Sequence, residues 1–247
     1  ACASIKHIFD GIGALNTKAV VWLVPSTAIL EQTIAHLRDP QDPYRQQINF
    51  DFGARVEVYD GTQALNGQAL SPSSVRENLS IFVLTYDSLR ITRKEDRKIY
   101  QENGNLAPFV AHYTDRDALV PNVDETALIQ VINQLFPVVI VDESHNAQSD
   151  LSVEMLHNLN PSFVLDLTAT PKSNSNIISI VDARELKKEN MVKLPVIIYN
   201  RRTKSDVLLD ALQLQSSLEK EARLEAEQTG SYVRPIVLFQ AQPKGKD

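Results

Sequence analysis

The apolar positions of this 247-residue chain fall into short β-branched runs separated by longer stretches with helical spacing. The runs Ala19–Val24, Arg55–Tyr59, Ile81–Thr85, Pro137–Val141, Phe163–Leu167, Val196–Tyr199 and Pro235–Phe239 predict strands, several of them apolar enough to be buried on both faces. Between them, apolar residues recur every three to four positions. This predicts helices over Ala3–Ile12, Thr27–Leu37, Glu125–Leu135, Leu151–Leu159 and Ser205–Ala226. Asp124 and Ser205 are candidate N-caps. Strands alternating with helices predict a parallel sheet covered by helices on both faces. Gly61 to Ser74 reads as a surface loop. Residues 93–123, polar and marked by turn signals at Asn103-Gly104-Asn105 and Pro121-Asn122, read as an insertion between two strands.

A hydrophobic share of 43% and a charged share of 23% are those of a soluble globular protein. The longest apolar run, Ala19–Val24, is far short of a bilayer span, and the N-terminus lacks the pattern of a secretory signal. A cytoplasmic protein with no membrane partner is expected. The chain does not begin with Met, so part of a longer polypeptide is expected. Cys2 is the sole cysteine, which excludes an internal disulfide and a cysteine-based zinc site. A net charge of −6 argues against a broad basic face for nucleic acid. It leaves open contacts through backbone N–H groups and hydroxyls at loop tips.

The run Pro137–Val141 leads into Asp142-Glu143-Ser144-His145. A buried parallel strand ending in two acids puts carboxylates at the carboxyl edge of a sheet, where open α/β folds bind ligands. Such an Asp can hold Mg²⁺, a hard cation that prefers oxygen, and the adjacent Glu can orient or deprotonate water. The plainer alternative is that both acids cap the following helix. One helix and one strand later, Phe163–Leu167 runs into Thr168-Ala169-Thr170-Pro171. Those hydroxyls could bond to the acidic loop and pass on its state, or the threonines could simply be strand formers before a turn. Pro25-Ser26-Thr27 takes a strand into a helix, which suits either phosphate or an ordinary cap. Ile81–Thr85, continuing into Tyr86-Asp87-Ser88, is another strand ending in hydroxyls.

In this order the four elements resemble the superfamily-two helicases of the DEAD/DEAH-like group. Pro25-Ser26-Thr27 through Gln32 is similar to motif Ia, and Thr85 to Ser88 to motif Ib. Asp142-Glu143-Ser144-His145 is similar to motif II, the Walker B box, and Thr168-Ala169-Thr170 to motif III. Within that group, Thr85 to Leu89, Val141 to His145 and Arg234 to Lys244 resemble the motor (Res) subunit of type III restriction enzymes. The resemblance implies an α/β fold: a three-layer RecA-like lobe with a mostly parallel sheet over 1–200. A linking helix and the start of a second RecA-like lobe would follow over 201–247, with Pro235–Gln240 as its first strand.

The same resemblance implies an ATP-dependent DNA helicase or translocase of a type III restriction-modification endonuclease. ATP would be the substrate and Mg²⁺ the cofactor. Asp142 would hold the metal, Glu143 would activate water, and His145, Thr168 and Thr170 would couple hydrolysis to movement. Pro25, Ser26, Thr27, Thr85 and Tyr86 would touch the sugar and phosphate of double-stranded DNA. A modification methyltransferase subunit would be the protein partner. The alternatives are an RNA-acting helicase of the same superfamily and a non-catalytic DNA-binding or assembly piece. The sequence departs from the group in lacking a Gly-x-x-x-x-Gly-Lys-Ser/Thr phosphate loop; Gly11-Ile-Gly13 has no lysine and follows a helix. The chain is therefore expected to begin just after that loop and to be inactive by itself. No nuclease constellation is recognisable. His7, His36, His112 and His157 are expected at the surface or in packing, as are Trp22, Tyr44 and Tyr59 in packing.

Overall fold

The computed structural model describes residues 1–13, 15–89, 97–143, 150–171, 176–189, 191, 201 and 203–239. Five of the predicted strands are present: β1 (Lys18–Val24), β2 (Val56–Asp60), β3 (Leu79–Thr85), β4 (Val138–Asp142) and β5 (Phe163–Leu167). All pair in parallel, in the order β2-β3-β1-β4-β5. Successive side chains leave a strand on opposite faces, so the unbroken apolar runs feed two cores. Val21, Leu23, Phe82, Leu84, Val139 and Val141 enter one. Val20, Val24, Ile81, Val83, Val138 and Ile140 enter the other. Each such side chain contributes about 1.5–3 kcal/mol when fully buried.

Helices α1 (Cys2–Ile12), α2 (Thr27–Arg38) and α3 (Pro43–Phe52) cover the second core through Ile5, Phe9, Ile34, Leu37 and Ile48. The third was not anticipated. Asp42 caps it by accepting from Tyr44 N–H at 2.8 Å, Pro43 opens its first turn, and Gly53 ends it at φ 66. The first core is covered by α4 (Gly61–Leu65), α5 (Ser74–Glu77), α6 (Tyr86–Leu89), α7 (Leu128–Gln134) and α8 (Asp150–Asn158). The predicted loop after β2 is thus partly helical. Asp60 and Gln63 close a reciprocal capping box that turns the chain straight into α4. The helix before β4 starts at Leu128 rather than Glu125. Asp124 accepts from Thr126 N–H at 2.8 Å and Thr126 Oγ1 at 2.6 Å, so it holds a turn instead of capping a helix.

From Arg97 onward the insertion is ordered into 3-10 turns at Lys98–Tyr100, Gly104–His112 and Arg116–Ala118. It buries Ile99, Tyr100, Leu106, Phe109 and Val120 in the first core. Amide side chains of α7 hold its backbone. Gln130, 1% exposed, accepts from Val120 N–H at 2.9 Å and donates to Val120 O at 3.0 Å. Asn133, also 1% exposed, donates to Ala118 O at 3.0 Å.

The chain forms two compact units, Ala1–Ile177 and Ile178–Asp247, and the sheet belongs to the first. In the second, α9 (Ala183–Lys188) precedes α10 (Lys204–Thr229). The cap of α10 is Thr203, whose hydroxyl accepts from Asp206 N–H at 3.2 Å, not Ser205. Residues 235–239 carry no regular structure, contrary to the predicted strand. An isolated strand has no neighbour to take its hydrogen bonds, and none pairs with it among the described residues. The predicted strand Val196–Tyr199 lies outside the described residues.

Candidate active site

β4 delivers Asp142 to the carboxyl edge of the sheet, in register with Leu167 of β5. The buried residues Val138 to Val141 anchor it from behind. Directly after the strand, Glu143 takes a left-handed conformation with φ 54. That region is uncommon for residues other than glycine and costs on the order of 1–2 kcal/mol. Two bonds from the ends of β5 and β3 hold the turn. Glu143 N–H donates to Leu167 O at 2.9 Å, and the Tyr86 hydroxyl donates to the Asp142 carbonyl. Tyr86 follows β3 and is only 2% exposed, so its clamp on Asp142 is made inside the protein. The acidic turn is therefore fixed by three strands at once.

Asp142 is half-buried, and burial is the main cause that pushes its carboxyl above the ordinary range. The neighbouring Glu143 carboxylate adds to the rise, and a backbone hydrogen bond from Glu143 opposes it. A half-buried carboxylate at a sheet edge, beside a second acid, is an oxygen ligand of the kind that suits a hard cation such as Mg²⁺. Among the described residues no cluster of three His, Cys, Asp or Glu side chains could enclose a metal. An ion on Asp142 would complete its shell with water and substrate oxygens.

A cleft of about 370 Å³ opens at this edge, lined by Cys2, Trp22, Gln32, His36, Asp142 and Leu167 among others. Ala1 lines it too, so the N-terminus of α1 and Asp142 border one cavity. Unsatisfied N–H groups and the helix dipole make such a terminus favourable for an anion. On the opposite wall, His36 Nδ1 lies 2.6 Å from Asp42 and packs edge-on against Tyr44. The His36 contact, then Tyr44 N–H, holds the Asp42 carboxyl below the usual range. His36 and Tyr44 do pack as expected, and that packing forms cleft wall.

The remaining predicted residues reach the same edge with different engagements. Ser26 caps α2, its Oγ accepting from Ile29 N–H at 3.4 Å, and Ser26 and Thr27 are exposed beside half-buried Pro25. Thr85 is half-buried, and its carbonyl accepts from Ser88 Oγ at 2.7 Å. Tyr86 is buried, 2% exposed. Thr168 Oγ1 accepts from Thr170 N–H at 3.2 Å within its own turn. The bond that joins this turn to the acidic loop is the backbone one from Glu143 to Leu167. His145 lies outside the described residues. The sequence reading did not foresee the Tyr86 clamp, whereas Ala3–Ile12 was expected as the helix that follows a phosphate loop, and α1 borders the cleft. Only the position of Tyr86, straight after a buried strand, hinted at the clamp.

A wholly parallel five-stranded sheet with helices on both faces and paired acids at its carboxyl edge makes this an α/β domain of the RecA-like class. The model of the family described as type III restriction enzyme, res subunit, matches residues 4–173, and the chain belongs to that family. No curated protein matches the chain. The matched span takes in the whole sheet and all four motif elements. Its function is accordingly helicase-like and related to type III restriction, which implies interaction with nucleic acid. Among the described residues no helix is long and apolar enough to cross a membrane.

Proposed function

We propose that the protein is the ATP-hydrolysing part of a cytoplasmic DNA translocase in a type III restriction system. It acts on double-stranded DNA beside a modification methyltransferase subunit. The observation that carries this reading is the cleft shared by Asp142 and the N-terminus of α1, with Glu143 held next to it. In that cleft the phosphates of ATP lie between helix N–H groups and the acidic turn. Asp142 would hold Mg²⁺, which would supply positive charge to offset that of the phosphates. Glu143, fixed in its turn from β5, orients water and accepts its proton at the carboxylate.

Residues 1–247 contain no Gly-x-x-x-x-Gly-Lys-Ser/Thr phosphate loop, the element that cradles the β- and γ-phosphates in this group. Pro25, Ser26, Thr27 and Thr85 touch the strand, and Thr168, Thr170 and His145 report the state of the acidic turn to it. Tyr86 serves this arrangement as a link from the end of β3 to the Asp142 carbonyl. The test is nucleotide hydrolysis by the intact protein, measured with double-stranded DNA and with RNA. Stimulation by DNA is expected. Stimulation by RNA alone would move the assignment to RNA remodelling, and no hydrolysis with either would leave an assembly role.

A further inference from the structure

At the amino-terminal edge of the sheet, opposite Asp142, lies a larger cavity of about 520 Å³. Its walls come from segments that lead into strands: Thr17 before β1, Val75 and Arg76 before β3, and Leu135 and Phe136 before β4. The 3-10 turn Gly104–His112 closes it with Phe109 and His112. A cavity of this size can take an ordinary small molecule.

Two independent features point to a ligand. First, Phe136 sits at φ 47, directly after the last residues of α7. Glycine is the usual residue there, and for a bulky side chain this conformation is a true outlier. The chain keeps an aromatic ring at the cavity wall where the backbone alone would favour none. Second, Arg76 takes part in no ion pair among the described residues. Its Nη2 donates to His112 Nδ1 at 2.9 Å at the exposed rim of the cavity, so the imidazole turns a lone pair to the guanidinium. Arg76 also borders a neighbouring hollow that holds Asp51 and Glu77, but no acid lines this cavity. The cavity therefore combines an apolar floor of Val75, Phe109, Leu135 and Phe136 with one cationic corner.

We propose that this cavity binds a small amphipathic anion, a flat apolar body carrying a single carboxylate, with the carboxylate at Arg76 and the ring against Phe136. Phe136 and Pro137 run directly into the strand that ends at Asp142, so the ligand contacts the root of that strand. The proposal does not depend on ATP hydrolysis, and its test is a binding measurement.

The probes are 1-naphthoate and its uncharged amide, titrated into the isotope-labelled full chain and followed by amide chemical shifts. Saturable shifts clustered at residues 76, 109–113 and 135–136 are expected for naphthoate. Arg76→Gln should weaken naphthoate at least tenfold and change the amide less than twofold. Phe136→Gly should weaken both probes while leaving the melting temperature unchanged or higher, because glycine suits this φ. Shifts confined to other parts of the chain would overturn the proposal. So would naphthoate binding that survives both substitutions, since Phe136 would then be a turn residue only.

Discussion

Glu143 occupies a left-handed turn that glycine would fill at lower cost, and the chain keeps a carboxylate there. Strained residues persist where their surroundings over-determine them, and here Leu167 O and the Tyr86 hydroxyl do so from either side. Tyr86→Phe removes one donor and leaves the Asp142 carbonyl without that partner. The expected cost is about 1–3 kcal/mol in stability. In the intact protein, hydrolysis should fall with it because the acidic turn loosens. Thermal melting and turnover on one preparation check this; a variant unchanged in both would mean that the clamp holds nothing. The two acids were legible in the sequence because an apolar run that stops at charge has to stop at a sheet edge. Tyr86 was expected among the residues that touch the strand, and its bond to the Asp142 carbonyl was not legible. A hydroxyl in a sequence carries no direction, and only the packing of α6 against β3 turns it inward.

Helices and strands with strong apolar patterns, such as β1, β4 and α2, were legible to within a few residues. The longest missed helix is α3, which buries fully only Ile48 and so shows little periodicity, although Asp42, Pro43 and Gly53 mark both its ends. The insertion failed for another reason. Its 3-10 turns depend on amides of α7, such as Gln130 and Asn133, which no local rule connects to Val120 or Ala118. Gln130→Leu keeps the volume but leaves the Val120 N–H and C=O buried without partners. A loss of roughly 2–4 kcal/mol is expected, with amide exchange accelerated first around residues 114–123. Exchange that rises evenly through the sheet would contradict this local account.

At the scale of the molecule, burial of polar rings ties stability to pH. Burial pushes the hydroxyls of Tyr59, Tyr100 and Tyr113 above the ordinary value, and at Tyr113 the nearby Glu125 carboxylate adds to a strong rise. An unfolded chain releases these protons near pH 10, whereas the folded one retains them. Stability is therefore complete below about pH 10 and falls as pH rises above it, by up to about 1.4 kcal/mol per pH unit for each group. Tyr113→Phe should flatten that alkaline decline in melting temperature. A decline as steep as that of the wild type would assign it to other groups.

The central claim is that Asp142 and Glu143 form a hydrolytic site and are not a helix cap. Glu143→Gln in the intact protein tests it most directly, because shape is nearly kept while the base is lost. Steady-state hydrolysis and equilibrium ATP binding should be measured on the same sample. The account expects turnover to fall by about 10²–10⁴-fold with ATP affinity little changed. Hydrolysis near the wild-type rate would contradict it.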